Sequence, residues 1–367
     1  MKLSGVELRR IRLPLVSPFR TSFATETERE ILLVRVVGTE TEGWGECVAI
    51  TEPLYSPEYV DGAEQVIRDF LLPRLPADVT AGALGPAFAP VKGHEMAKAA
   101  VEMAVLDAEL RAAGMSYATY LGGTAARVPA GVSVGIMDSI PELLDHVDRY
   151  LAEGYARIKL KIQPGWDVEP VRAVRERFGD ILLQVDANTA YTRADARHLA
   201  ELEPFGLLLI EQPLPEDDLL GHAKLASLLT TPICLDESIV SARAAADALA
   251  LGACSIVNVK AGRVGGYLEA RRIHDVSAAH GVPVWCGGML ETGLGRAANL
   301  AFAALPGCTL PGDVSASERY YTRDITEPFR LVDGLMTVPS GPGLGVEPIM
   351  DYLDELTESK RFVRLDG

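Results

Sequence analysis

The sequence has 367 residues, 48% of them hydrophobic and 23% charged, which is long for one core and suits a barrel plus a smaller domain. A formal net charge of −16 disfavours nucleic acid and anionic membranes as partners. No signal-peptide core opens the chain and no run reaches about 18 apolar residues, so a cytoplasmic protein is expected.

Residues 1 to about 50 read as a strand meander: VELRRIRLPL, REILLVRVVG and GWGECVAI. Between the first two lies a polar stretch, residues 17–28, expected as a long loop carrying Phe19, Arg20 and Phe23. A second aromatic-bearing loop, residues 51–59, holds Leu54, Tyr55 and Tyr59. These loops either close over a site or pack on the domain's own core. Helices are expected over 58–75, with Val66, Ile67, Phe70 and Leu71 apolar, and over 94–114, ending at Gly114. Met96, Ala100, Met103 and Leu106 mark the buried face of the second. The Pro- and Gly-bearing residues 76–93 connect the two.

From residue 129 strands and helices alternate. Strands are expected at 129–135, 157–162, 181–188, 207–213, 232–238, 255–260 and 282–289, with a short closing run at 309–314. Helices are expected at 140–153, 167–178, 193–203, 218–229, 241–250, 266–280 and 293–305. The Pro- and Gly-rich tail reads as short strands returning to the N-terminal domain, followed by a helix-like surface segment, DYLDELTESKRF.

The strand ends carry the chemistry. Lys161, Asp186, Glu211, Asp236 and Lys260 stand 25, 25, 25 and 24 residues apart, about one βα unit each. Such residues are almost never buried unpaired, so five at one phase predict convergence at the C-terminal mouth of a (β/α)8 barrel. Asp186, Glu211 and Asp236 place three like charges around one point, which a cation must join. An all-oxygen set favours a hard ion, Mg2+ or Mn2+, over zinc. Lys159 and Lys161, two apart on one strand, point to the same interior side, and Lys260 approaches from across. Like-charge repulsion between the paired lysines is expected to lower a pKa. Lys159 is either a second base or a support for Lys161. A metal between two lysine stations suits removal of the proton alpha to a carboxylate.

None of the six histidines (His94, His146, His198, His222, His274, His280) falls at a strand end, which argues against zinc or a Ser-His-Asp triad. The five cysteines (Cys47, Cys234, Cys254, Cys286, Cys308) form no CxxC pair and read as reduced thiols, three of them in or beside buried strands.

IKLKI, VDAN, IEQP, LDES and NVK resemble the enolase superfamily, in its muconate-lactonizing-enzyme subgroup, over essentially the whole chain. PFRTSF (18–23), GWGEC (43–47), KGHEMAKAAVEMAVLDAELRA (92–112), KLKIQPGWDVEPVRAVRERFG (159–179) and WCGGMLETGLGRAANLA (285–301) are similar to one subfamily of N-acylamino acid racemases and o-succinylbenzoate synthases. The resemblance implies an α/β fold: a modified TIM barrel, (β/α)7β, over 126–320, with an α+β N-terminal capping domain over 1–125 completed by residues 321–367.

It further implies Lys161 and Lys260 as the acid/base pair, supported by Lys159. Asp186, Glu211 and Asp236 become ligands of Mg2+, with Mn2+ or Co2+ able to substitute. Asn188 is placed near the metal-bound carboxylate, and Phe19, Phe23, Ile50, Tyr55, Ser133, Gly288, Met289 and Leu290 around the acyl group. Arg263 either biases the protonation of Lys260 or is a surface arginine at a helix start.

The expected function is metal-dependent racemisation of N-acyl, chiefly N-succinyl, amino acids through an enediolate, with o-succinylbenzoate synthesis in the same site. A dedicated synthase for menaquinone precursor formation, a dipeptide epimerase, a cycloisomerase and a non-catalytic binding barrel are the alternatives. The expected partner is a small-molecule carboxylate, with no nucleic acid and no membrane, acted on by a homo-oligomer.

Overall fold

The computed structural model describes residues 1–365. The N-terminal domain is built on strands β1 (Leu3–Arg20), β2 (Thr25–Gly38) and β3 (Glu42–Cys47). β1 and β2 form one antiparallel ribbon, pairing Val6 with Val36, Leu8 with Val34 and Ile11 with Ile31. The loop expected over 17–28 is therefore mostly strand. Only Thr21–Ala24 turn, closed by a 2.9 Å bond from Thr21 N to Ala24 O. The ribbon continues past the core, so its tip needs no apolar alternation and looks like loop in the sequence.

Helix α1 (Val60–Val66) passes into a π turn at Ile67–Leu71 and a 3-10 turn at Leu72–Arg74, which swings Phe70 to the surface (46% exposed) rather than into the expected apolar face. Helix α2 (Ala81–Phe88) occupies part of the expected connector; its two glycines and Pro86 hid it, and Thr80 caps it. Helix α3 (Glu95–Ala113) is buried around most of its circumference, not on one face. β3 lies directly on it. A Cβ on Gly45 would overlap the Ala100 carbonyl, and one on Gly43 the Ala104 carbonyl.

Helix α4 (Tyr117–Leu121) and strand β4 (Arg127–Pro129) lead into the barrel. Its strands are β5 (Gly131–Val134), β6 (Arg157–Lys161), β7 (Leu183–Asp186), β8 (Ile210–Glu211), β9 (Ile233–Leu235), β10 (Ile256–Val259) and β11 (Val284–Cys286). They are parallel and lie side by side in chain order. The eighth position is a bridging segment rather than a ladder: Gly131 N bonds to Gly312 O, Asp313 N bonds to Cys286 O, and Val284 pairs with Cys308. Pro311 has no N–H to extend it.

The covering helices are α5 (Ile140–Glu153), α6 (Val168–Phe178), α7 (Ala196–Leu199), α8 (Leu219–Leu228), α9 (Ala242–Ala250), α10 (Tyr267–Ala279) and α11 (Gly293–Ala303). The helix expected at 193–203 is only one α turn between 3-10 segments, with Pro204 in the last. The tail supplies β12 (Leu331–Val332), β13 (Leu335–Thr337), α12 (Met350–Glu355) and β14 (Thr357–Arg364). The short strand β12 pairs with β13 and β13 with β4, and neither joins the cap sheet. The return to that sheet is β14, antiparallel to β1; of the surface helix-like segment expected over 351–362, the first half is α12 and the rest is this largely exposed strand.

One apolar core runs through cap and barrel, and a small cluster of Leu209, Cys234, Ile256 and Trp285 fills the barrel floor. Cys47, Cys234, Cys254 and Cys286 are buried free thiols, the last three as their place in or beside apolar strands suggested. No helix among the described residues is long and apolar enough to cross a membrane.

Candidate active site

β6 reads Arg-Ile-Lys-Leu-Lys, so its period of two stacks Arg157, Lys159 and Lys161 in the barrel interior, all nearly or wholly buried. Buried cations need partners, and the neighbouring strand ends supply them. Lys161 Nζ lies 2.6 Å from Asp186 Oδ2 and donates to Asn188 Oδ1 at 2.6 Å. Lys159 Nζ lies 3.2 Å from Asp186, 3.1 Å from Glu211 and 2.6 Å from Asp313. Arg157 meets the other Asp313 oxygen at 2.8 Å. Below them both cations sit over the ring of Trp285, at 5.1 and 4.9 Å.

Four strands further round, Lys260 Nζ is 2.8 Å from Asp236 Oδ2 and donates to the Tyr55 hydroxyl at 2.9 Å. With β6 second and β10 sixth of eight positions, the two lysine stations face each other. Asp236 is shared, because Arg263 reaches its Oδ1 at 3.0 Å. Asn258, two residues before Lys260, donates to Glu211 Oε1 at 2.6 Å.

The electrostatics follow. Burial alone would lower the pKa of Lys159, but Asp313, Glu211 and Asp186 outweigh it and hold the ammonium well above its ordinary value. The expected depression by a paired lysine is therefore absent at Lys159. Lys260 is likewise raised: burial opposes, while Asp236 and the Tyr55 oxygen prevail. Burial and then Asp186 push Glu211 up to about 7, against Lys159. Asp236 is held below the carboxylate range because Lys260 and Arg263 overcome its burial.

The carboxylates suit a hard cation by donor type, and Asp186 and Glu211 are register partners on adjacent strands, about 5 Å apart along the sheet. Among the described residues no three His, Cys, Asp or Glu side chains are gathered to hold an ion as they stand. Asp186, Glu211 and Asp236 each face a lysine instead.

Over this centre lies a cavity lined by Phe19, Phe23, Ile50, Tyr55, Ser133, Asn188, Gly288, Met289, Leu290, Lys159, Lys161 and Lys260. All these were singled out in the sequence. Arg263 is neither a lining residue nor a surface arginine: it is 5% exposed and turned to Asp236. Asn188 sits on Lys161. The two cap loops meet where the rings of Phe23 and Tyr55 approach at 5.7 Å. Ser22 Oγ bonds to Ala187 O, and Ile136 N to Arg20 O, tying the first loop to the barrel mouth.

Sequence reasoning missed Thr21, Glu26, Asp313 and Tyr320 on the lining, and Asn258 and Glu237 beneath it. Asn258 was recoverable from its two-residue offset to Lys260. Asp313 was not, because the 25-residue spacing ends before it. Four non-glycine residues at positive φ, Asn188, Thr189, Gln212 and Leu290, crowd this rim. Strain of this kind persists where the surroundings over-determine it; the Leu290 carbonyl, for example, is held by the Tyr321 hydroxyl.

Residues 5–122 match the mandelate racemase / muconate lactonizing enzyme N-terminal domain, and residues 142–352 match the enolase C-terminal domain-like family. An N-succinylamino acid racemase of Amycolatopsis sp is 69% identical over 366 residues, covering 99% of this chain and 100% of that protein. An o-succinylbenzoate synthase of Geobacillus kaustophilus is 49% identical, over 98% of this chain and 96% of its own. The crystal structure of an enolase-superfamily member from Listeria innocua superposes with a TM-score of 0.96 at 38% identity, covering 100% of both chains. With buried lysines and carboxylates at the barrel mouth and both domain families matched along its length, this chain belongs to the mandelate racemase/muconate-lactonizing-enzyme branch of the enolase superfamily.

Proposed function

We propose that this chain racemises N-acyl amino acids, with N-succinyl as the acyl group, and that the same pocket also forms o-succinylbenzoate by dehydration. The observation that carries the reading is the pair of buried lysines, Lys161 and Lys260, on facing strands with carboxylates between them. Asp186, Glu211 and Asp236 would hold a divalent cation, Mg2+ with Mn2+ or Co2+ substituting, whose positive charge steadies the enediolate left when the alpha proton departs.

This chain's residues move the protons. Lys161 Nζ, as the amine, takes the alpha proton from one face, and Lys260 Nζ, as the ammonium, returns one to the other. The roles exchange for the opposite enantiomer. In the dehydration one lysine both removes the proton and protonates the leaving hydroxyl, and the other stays charged. The cap loops, with Phe19, Phe23, Ile50 and Tyr55, shut water from the acyl end.

Charge balance points to a dianionic substrate. The five buried cations Arg157, Lys159, Lys161, Lys260 and Arg263 equal in number the five buried acidic side chains Asp186, Glu211, Asp236, Glu237 and Asp313, although Glu237 meets Arg263 only through its backbone carbonyl. A divalent cation adds two positive charges, and a dicarboxylate such as an N-succinyl amino acid removes them. The two sequence relatives carry names for the two reactions proposed here.

The test is incubation of each enantiomer of an N-succinyl amino acid with Mg2+ in deuterated water, with succinylbenzoate formation assayed in parallel. Loss of the alpha-hydrogen NMR signal from both enantiomers is expected. Absence of exchange and of turnover with either substrate class would sink the reading, and turnover of the lyase substrate alone would leave a dedicated synthase.

A further inference from the structure

Glu237 follows the proposed ligand Asp236, yet its side chain pairs with neither lysine. It is 7% exposed, and its Oε1 accepts a 2.9 Å hydrogen bond from Asn188 Nδ2. Its Oε2 is buried without a hydrogen-bond partner. A carboxylate so poorly satisfied is costly to bury and is not explained by local stability.

The other end of Asn188 shows what it does. An ammonium can only donate, so Asn188 must turn Oδ1 to Lys161, and its Nδ2 then needs an acceptor on the opposite side. Glu237 is that acceptor. The backbone cooperates: Asn188 has φ 42° and Thr189 φ 65°, two consecutive left-handed non-glycine residues, while Asn188 N is held by Asp186 Oδ1 at 3.0 Å.

Lys260 has no equivalent within the barrel. Its second partner is the Tyr55 hydroxyl, carried on the cap loop. We propose that Glu237 is a positioning residue which, through the Asn188 amide, fixes Lys161 from within the barrel, so that the two proton stations are set independently, one by the barrel and one by the cap. The proposal rests on the two-lysine reading above.

The test is alpha-hydrogen exchange with retention, followed for each enantiomer in deuterated water with Mg2+ present. In Glu237→Ala, exchange through Lys161 should fall about 10- to 100-fold, the cost of a misplaced reacting group. Exchange of the other enantiomer, through Lys260, should stay near the wild-type rate. Glu237→Gln keeps an oxygen acceptor for Asn188 and should recover most of the loss. The Mg2+ affinity measured by calorimetry should match wild type in both variants.

Equal loss for both enantiomers, failure of the glutamine to rescue, or a comparable loss of Mg2+ affinity would each overturn the proposal while wild-type exchange left the two-lysine reading standing. No exchange in the wild type would overturn both. Should the alanine variant not unfold cooperatively, Glu237→Leu takes its place.

Discussion

Lys159 and Lys161 are two residues apart and look interchangeable in the sequence, but their partners separate them. Lys159 is enclosed by Asp186, Glu211 and Asp313 above the ring of Trp285, a structural cation at the bottom of the site. Removing it leaves three carboxylates in a buried cluster with one fewer positive charge. Lys159→Met should therefore destabilise the metal-free protein by about 3–5 kcal/mol, the cost of an orphaned buried charge. Mg2+ should restore more stability to the variant than to wild type, which thermal unfolding with and without chelator would show. Lys260→Ala, by contrast, should abolish racemisation while one enantiomer still exchanges its alpha hydrogen through Lys161. Equal loss for both enantiomers, read by NMR, would contradict two independent stations. The spacing of five charges was legible because parallel strands repeat at the length of one βα unit. The contacts around them were not, because Asp313, which meets Lys159, Glu237, which meets Asn188, and Tyr55, which meets Lys260, reach the site from a bridging segment, a neighbouring position and another domain.

Elements were legible where local chemistry agreed with tertiary context. α5 has Ser139 accepting from Glu142 N, Pro141 in its first turn and Gly154 in the left-handed conformation at its end, and the sequence places it at the same residues. α2 was hidden because its packing overrides two glycines and a proline, and β14 because an edge strand that is mostly exposed shows no alternation. Helices α3, α10 and α11 are instead capped by buried carboxylates from distant segments. Glu102 of α3 accepts from Tyr267 N and Leu268 N at the start of α10, in space left by Gly266. Burial, against those bonds, pushes its pKa up to about 8. The folded chain therefore keeps a proton that the unfolded chain, ordinary for glutamate at about 4.3, has released, so stability falls as pH rises from roughly 4 to 8. Glu102→Gln removes that slope. Relative to wild type it should gain a few kcal/mol between pH 5 and pH 8, measured by urea unfolding. A parallel slope in both proteins would place the titration elsewhere. Where β3 packs on α3, Gly45→Ala should cost about 3 kcal/mol, since the added methyl meets the α3 backbone and not a side chain that can turn aside.

At the scale of the whole molecule, barrel and cap are held together by the residues that build the site. Glu46 of β3 accepts from Thr292 N and Gly295 N at the start of α11, immediately after the lining residues Gly288–Leu290. Tyr55 crosses from the cap to Lys260, and β14 returns the C-terminal segment to the sheet that carries both loops. Pocket and domain interface therefore form one cooperative unit, so a cation bound at the strand ends should stabilise all of it together. Under the proposed function each of the three carboxylates would exchange its ammonium partner for the cation, which would leave Lys161 and Lys260 free to face substrate. Binding to the folded state alone raises stability by about 2.7 kcal/mol at a hundredfold excess over Kd. Mg2+ should thus shift a single thermal transition upward, chelator should reverse the shift, and a dicarboxylate substrate analogue should add a further shift only when Mg2+ is present. An analogue that stabilises equally well with chelator would mean that the substrate carboxylate is held by the lysines alone, and a second transition that does not move with Mg2+ would mean that the cap unfolds apart from the barrel.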